Sequence, residues 1–192
     1  MLELKKELEK IKGSFSRISE IVYQTPVLSS ISINKALKAD ITFKAECLQE
    51  TGSFKLRGAS SAISLLSKEE KSRGVVAFSS GNHAQGIAYA SRELGTSAKI
   101  VMPSDAPKIK IWKTQEYGAE VIFYDRDEDN REEIGFSIAM EEGRKLIKPF
   151  DDLNVIYGQG TAALEVMDEV DTKFDMSVVC CSGGGLAAGT GI

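Results

Sequence analysis

From Gly74 onward, short runs in which nearly every position is apolar alternate with longer stretches in which apolar positions recur at helical spacing. "GVVAFSS", "SAKIVMP" and "AEVIFYD" are rich in β-branched and aromatic residues and are bounded by Gly, Pro or Asp. Between and after them lie "GNHAQGIAYASRELG", "APKIKIWKTQEYG" and "DNREEIGFSIAMEEGRK". This rhythm predicts βαβ units on a parallel sheet, because fully apolar strands need both faces covered. Local chemistry places the helix ends: Asn82 or Ser80 as the start of the first helix, Pro107 in the first turn of the second, and Gly95 and Gly118 as stops.

Upstream, "ISINKALKA" reads as helix, "DITFKAE" as strand, and "SFKLRGASSAISLLSKEEKSRG" as one helix that Ser53 caps. Downstream, "NVIYGQGTAALEVMDEV" is helical in its second part, and "KFDMSVVCC" reads as a buried strand feeding the glycine loop and helix start of "SGGGLAAGTGI". A strand, a glycine loop and a first helical turn are the middle of a βαβ unit, so the last sheet is expected to be incomplete in this chain.

Composition narrows the ligand. A net charge of -4 over 192 residues, with no run of Lys and Arg longer than two, gives no electrostatic footprint for nucleic acid or an anionic membrane, and leaves a small diffusible ligand. Cys47, Cys180 and Cys181 fit neither a disulfide framework nor a metal-ligand spacing, so no metal is expected. The N-terminus lacks an apolar signal core and no stretch approaches eighteen consecutive apolar residues, which reads as a cytoplasmic chain.

Three stretches carry candidate chemistry. In "CCSGGGLAAG", the amides of Gly183, Gly184, Gly185 and Leu186 can converge on one anion, or the glycines can simply serve a tight strand-to-helix turn. The spacing matches neither the dinucleotide G-x-G-x-x-G nor a P-loop. In "ETGSFKLRGAS", Lys55 is either an ordinary solvated lysine or a nucleophilic amine, its ammonium form disfavoured by Arg57 and the helix N-terminus, with the Phe54 ring beside it for a planar ligand. "FSSGNHAQG" is a second strand-to-helix junction with free amides, suited to a carboxylate. His83, the single histidine, is a general base or a structural residue, and Ser79 and Ser80 show no His-Asp partnership of a hydrolase triad.

"TGSFKLRGA", "SSGNHAQG", "YGAEVI", "GQGTAALE" and "SGGGLAAG", in this order, resemble the fold-type-II pyridoxal-phosphate enzymes, and within them the serine/threonine dehydratases and serine racemases. The resemblance runs from about Thr25 to the end of the chain. It implies an α/β fold of the tryptophan synthase β kind, with two doubly wound parallel-sheet domains: a large one from residues 1–70 and 147–192, incomplete here, and a small one from 71–146. It also implies that Lys55 links covalently to pyridoxal 5'-phosphate, that Phe54 packs on its ring and that Asn82 bonds the ring oxygen. Ser182, Gly183, Gly184, Gly185 and Leu186 would hold the phosphate, while Ser79, Ser80, Gly81, Asn82 and His83 would grip the substrate carboxylate.

The activity so implied is dehydration and deamination of L-serine or L-threonine to a 2-oxo acid and ammonia by a homodimer. Serine racemase or threo-3-hydroxyaspartate dehydratase is the first alternative, and an inactive remnant that at most binds the cofactor is the second. Ser80 stands where a serine, rather than the alanine common in biosynthetic threonine dehydratases, can exchange a proton on the face opposite Lys55; otherwise it only donates to the carboxylate. Arg131 resembles the carboxylate-anchoring arginine of serine racemases, or else makes a surface ion pair in its acidic surroundings. Ser182 departs from a loop of four glycines and Phe150 from the asparagine of some racemases. Cysteine synthases, which share the fold, place their lysine in a different context.

Overall fold

The computed structural model describes residues 2–171 and 173–192. A long amphipathic helix α1 (Leu2–Ile18) buries Ile11, Ser14 and Ile18 along one stripe. Strand β1 (Val27–Ser29), helix α2 (Ile31–Leu37) and strand β2 (Thr42–Lys44) follow, with β1 and β2 paired antiparallel. Next comes α3 (Lys55–Ser64), which opens on the candidate lysine, and then α4 (Lys68–Arg73). The single helix expected across this stretch is therefore two. Ser67 starts a new one through a capping box with Glu70, each side chain meeting the other's backbone N–H. Nor does Ser53 cap α3: Phe54 is the cap residue, no side-chain bond caps the helix, and the Ser53 hydroxyl is buried without a partner.

The expected βαβ rhythm is present. β3 (Val75–Phe78), α5 (Asn82–Glu93), β4 (Ala98–Pro103), α6 (Lys108–Glu116), β5 (Glu120–Tyr124), α7 (Arg131–Glu142) and β6 (Lys145–Leu146) alternate along the chain. All four strands are parallel, in the order β5-β4-β3-β6. Both faces are covered, which explains the unbroken apolar runs. Val75, Ala77, Ile100 and Met102 pack into one core with α3 and α5, while Val76, Phe78 and Val101 face the other way toward Ile134 and Ile138 of α7. Gly95 and Gly118 end their helices at φ 68° and 91°, where a side chain would be strained.

α8 (Leu153–Glu169) starts at the beginning of its apolar stretch rather than part-way along, because Asp152 caps it by accepting from the Asn154 and Val155 amides. It crosses α3 with almost no spacing. A Cβ on Gly158 would stand 2.5 Å from the Arg57 carbonyl oxygen and 2.6 Å from the Gly58 Cα, so glycine is required there. α9 (Gly185–Gly191) packs on α8 through Gly189, whose added Cβ would lie 2.7 Å from the Gly160 nitrogen. Between these helices the expectation fails: "KFDMSVVCC" forms no strand, and Val178 is 86% exposed. Apolar residues alone do not make a strand, and among the described residues no neighbouring strand offers this segment a ladder of hydrogen bonds. No helix among the described residues is long and apolar enough to cross a membrane.

One charged side chain ties these parts together. Arg57 is fully buried, and its guanidinium donates to both oxygens of Glu46, at 2.8 Å each, and both of Glu165, at 2.7 Å each. Lys44 adds a bond of 2.7 Å to Glu165. Burial opposes the charge, but the two carboxylates outweigh it and hold Arg57 above its ordinary value. Arg57→Met leaves these carboxylates underpaired inside the protein and is expected to destabilise by about 3–5 kcal/mol, read from the denaturant midpoint.

Candidate active site

In an open parallel sheet, ligands settle beyond the carboxyl ends of the strands where connections part to opposite sides. Here that point lies between β3, whose chain continues to β4, and β6, which sits on the other side of β3. The loop after β3 is "SSGNH", and the chain after β6 runs through Pro149 and Phe150. A cleft of about 310 Å³ opens there.

Lys55 reaches this cleft from the first position of α3. Its Nζ donates to the Pro149 carbonyl at 2.7 Å and lies 5.3 Å from the Phe54 ring centroid. Burial pushes the Lys55 amine below its ordinary value, opposed by the nearby Cys180. Arg57 is not the cause, contrary to the sequence expectation: its guanidinium is turned into the core and neutralised by two carboxylates. The root of the lysine is fixed by close packing, since a Cβ on Gly86 of α5 would stand 3.1 Å from the Lys55 carbonyl carbon and oxygen.

Ser79, Ser80, Gly81, Asn82 and His83 all line the same cleft. Neither Ser80 nor Asn82 caps α5 as expected. Gly81 is the cap residue with no side-chain bond, and the Ser79 hydroxyl accepts from the Gly81 amide at 3.2 Å. The first-turn amides of a twelve-residue helix are thereby left for a ligand. Asn82 is exposed at the mouth, its Oδ1 accepting from Lys110 Nζ at 2.6 Å.

His83 is fully buried and pairs through Nε2 with the Ile147 carbonyl at 3.2 Å. A carbonyl only accepts, so Nε2 carries the proton. Desolvation, with a smaller push from Lys55, lowers the imidazole to about 4. It is therefore neutral at ordinary pH.

Arg131 lines the cleft from the start of α7, its guanidinium 5.6 Å from the Phe78 ring centroid. Ser182 and Gly183 also line the cleft. Gly184, Gly185 and Leu186 continue from them into α9 without lining the cleft, and Phe54 stays beside the lysine rather than in the lining. Sequence reasoning missed Pro149 and Phe78 as wall residues and Lys110 as the partner of Asn82. A backbone carbonyl has no sequence signal, and the lysine pattern of "PKIKIWK" gives no sign of which one turns toward α5.

The family model for pyridoxal-phosphate-dependent enzymes matches residues 18–192. The chain belongs to this family. Among similar proteins, an L-threo-3-hydroxyaspartate ammonia-lyase of Saccharomyces cerevisiae is 49% identical over 92% of this chain and 54% of the relative. A serine racemase of Schizosaccharomyces pombe is 44% identical over 96% and 57%. The crystal structure of serine racemase from Dictyostelium discoideum superposes with a TM-score of 0.90 at 43% identity, over 95% of this chain and 59% of that one. The chain thus spans a little over half the length of each of these three proteins.

The residues present fit the cofactor of a pyridoxal-phosphate enzyme. The half-buried amine has a backbone carbonyl rather than a carboxylate as its hydrogen-bond partner, so among the described residues no ion pair resists loss of its proton. The glycine loop takes a path that only glycine serves: Gly184 has φ 89°, and a Cβ on Gly183 would collide with the Phe150 ring.

His83 makes the fold of this chain pH-sensitive. The unfolded chain binds a proton on this imidazole below about 6.5, whereas the folded chain does not until about 4. Stability is therefore expected to fall as pH drops from 6.5 toward 4 and to be flat in this contribution above it. Urea midpoints at pH 7 and pH 5 check this, with His83→Gln reducing the difference.

Proposed function

We propose that the chain carries the cofactor-linking half of an enzyme that dehydrates and deaminates a β-hydroxy amino acid to a 2-oxo acid and ammonia. The observation that carries this reading is the single cleft shared by Lys55, the "SSGNH" loop and the first residues of the glycine loop. Pyridoxal phosphate, when bound, supplies an electron sink for the pair left on the substrate's Cα. Lys55 Nζ is the group to link to it and then, freed by substrate, to take the α-proton. Phe54 flanks that amine, and Asn82 donates toward the ring oxygen. Ser182, Gly183, Gly184, Gly185 and Leu186 offer backbone amides to the phosphate. Ser79 to His83 hold the substrate's α-carboxylate at the start of α5. The β-hydroxyl departs as water once it has gained a proton.

Arg131 favours a more specific reading, L-threo-3-hydroxyaspartate. Together with Lys55 it supplies the cationic side chains of the cleft lining, and a guanidinium matches the second carboxylate of that substrate where serine and threonine have none. Racemisation of serine is the second reading, supported by Ser80 in the cleft wall, from which its Oγ would exchange the α-proton on the face opposite Lys55.

Intact mass after borohydride reduction with pyridoxal phosphate is expected to show one adduct on the wild type and none on Lys55→Ala. Of L-threo-3-hydroxyaspartate, L-serine and L-threonine, the first is expected to release 2-oxo acid fastest. Arg131→Ala should cut kcat/KM for hydroxyaspartate by about 10–100-fold while changing that for serine little. Equal losses for both substrates would show that Arg131 does not read the second carboxylate.

A further inference from the structure

Resting on the cofactor site proposed above, we infer that Lys110 is a positioning residue: it fixes which way round the Asn82 amide sits and so presents the amide's N–H₂ as a donor to the cofactor. Asn82 is the first residue of α5 and stands at the cleft mouth. Its amide has one end that accepts and one that donates, and rotation by half a turn exchanges them. Left to solvent, such an exposed amide samples both, and half of the population would turn an acceptor toward an electron-rich ring oxygen.

Lys110 removes that ambiguity. An ammonium only donates, so the Asn82 atom that it meets at 2.6 Å is the oxygen, and Nδ2 is the atom left for the cleft. The bond is charge-assisted, which makes it short and polarises the amide, so Nδ2 is also a better donor. Lys110 itself is half-buried and sits in the first turns of α6, with the Thr114 hydroxyl donating to its carbonyl at 2.8 Å one turn later. α6 and α5 are successive crossovers of one sheet and pack on each other, so the two ends of the bond are carried by rigid elements. The lysine faces a neutral amide and not a carboxylate, which is the arrangement for orienting a group rather than for pairing a surface charge.

A double-mutant cycle on the purified chain, read by titrating pyridoxal phosphate through its protein-bound absorbance band, tests this. Lys110→Met and Asn82→Ala are each expected to weaken cofactor affinity by about tenfold, the double variant to be no weaker than Asn82→Ala alone, and Lys110→Arg to stay near wild type. Thermal midpoints are expected to be alike for all four, which a merely structural lysine would not give. Losses that add in the double variant, or a Lys110→Met protein that binds normally while Asn82→Ala does not, would overturn the role of Lys110 alone. Should wild type and Lys55→Ala titrate identically, the cofactor site itself is misassigned and this proposal falls with it.

Discussion

Arg57 holds the architecture in place two residues beyond the candidate lysine. Its guanidinium offers five N–H donors in a rigid plane, and the structure meets them with Glu46 after β2, Glu165 of α8, Thr161 and the Tyr23 carbonyl. Such a buried charge tolerates little displacement, because any carboxylate that swings away leaves an ion in a medium that cannot solvate it. The first turn of α3 is therefore fixed in rotation as well as position, and the neighbouring Lys55 is directed outward into the cleft. Two basic residues separated by Leu56 thus take two opposed tasks, one lysine half-exposed with its proton loosened by burial and one arginine locked inside with its proton secured.

Chain-distant motifs meet because of where the parallel sheet reverses its direction of winding. β3 is followed by β4 on one side, while β6 arrives on the other, and the crevice between their carboxyl ends receives "SSGNH" and Pro149–Phe150. α3 and α9 both pack on α8, so the lysine and the glycine loop reach this crevice from a common helical support. The cleft is an outcome of topology, and its chemistry comes from the loops that topology delivers there.

The small-sheet rhythm was legible because both faces of each strand are covered, which leaves continuous apolar runs flanked by turn residues. Lys55, the serine–glycine–asparagine loop and the glycine triplet were legible for a different reason: they are motifs at strand-to-helix junctions, and together they resemble one family. Single features misled where tertiary context overrules local signal. "KFDMSVVCC" has strand composition but no described partner strand, and the capping box at Ser67 breaks what apolar periodicity alone joins into one helix. The assignment of Arg57 to the electrostatics of Lys55 failed because sequence adjacency says nothing about which way a side chain turns. The bond from Lys110 to Asn82 was hidden altogether, since it joins an exposed amide and a half-buried lysine 28 positions apart.

The backbone contacts at Gly86 and Gly158 carry one more consequence. Where helices touch main chain to main chain, there is no side chain between them to repack, so a change in spacing cannot be absorbed by a new rotamer. The seat of the Lys55 amine is therefore governed by positions that bear no functional group at all. Side chains that only line the cleft, such as Arg131 and Phe150, can change while leaving that glycine-lined crossing untouched.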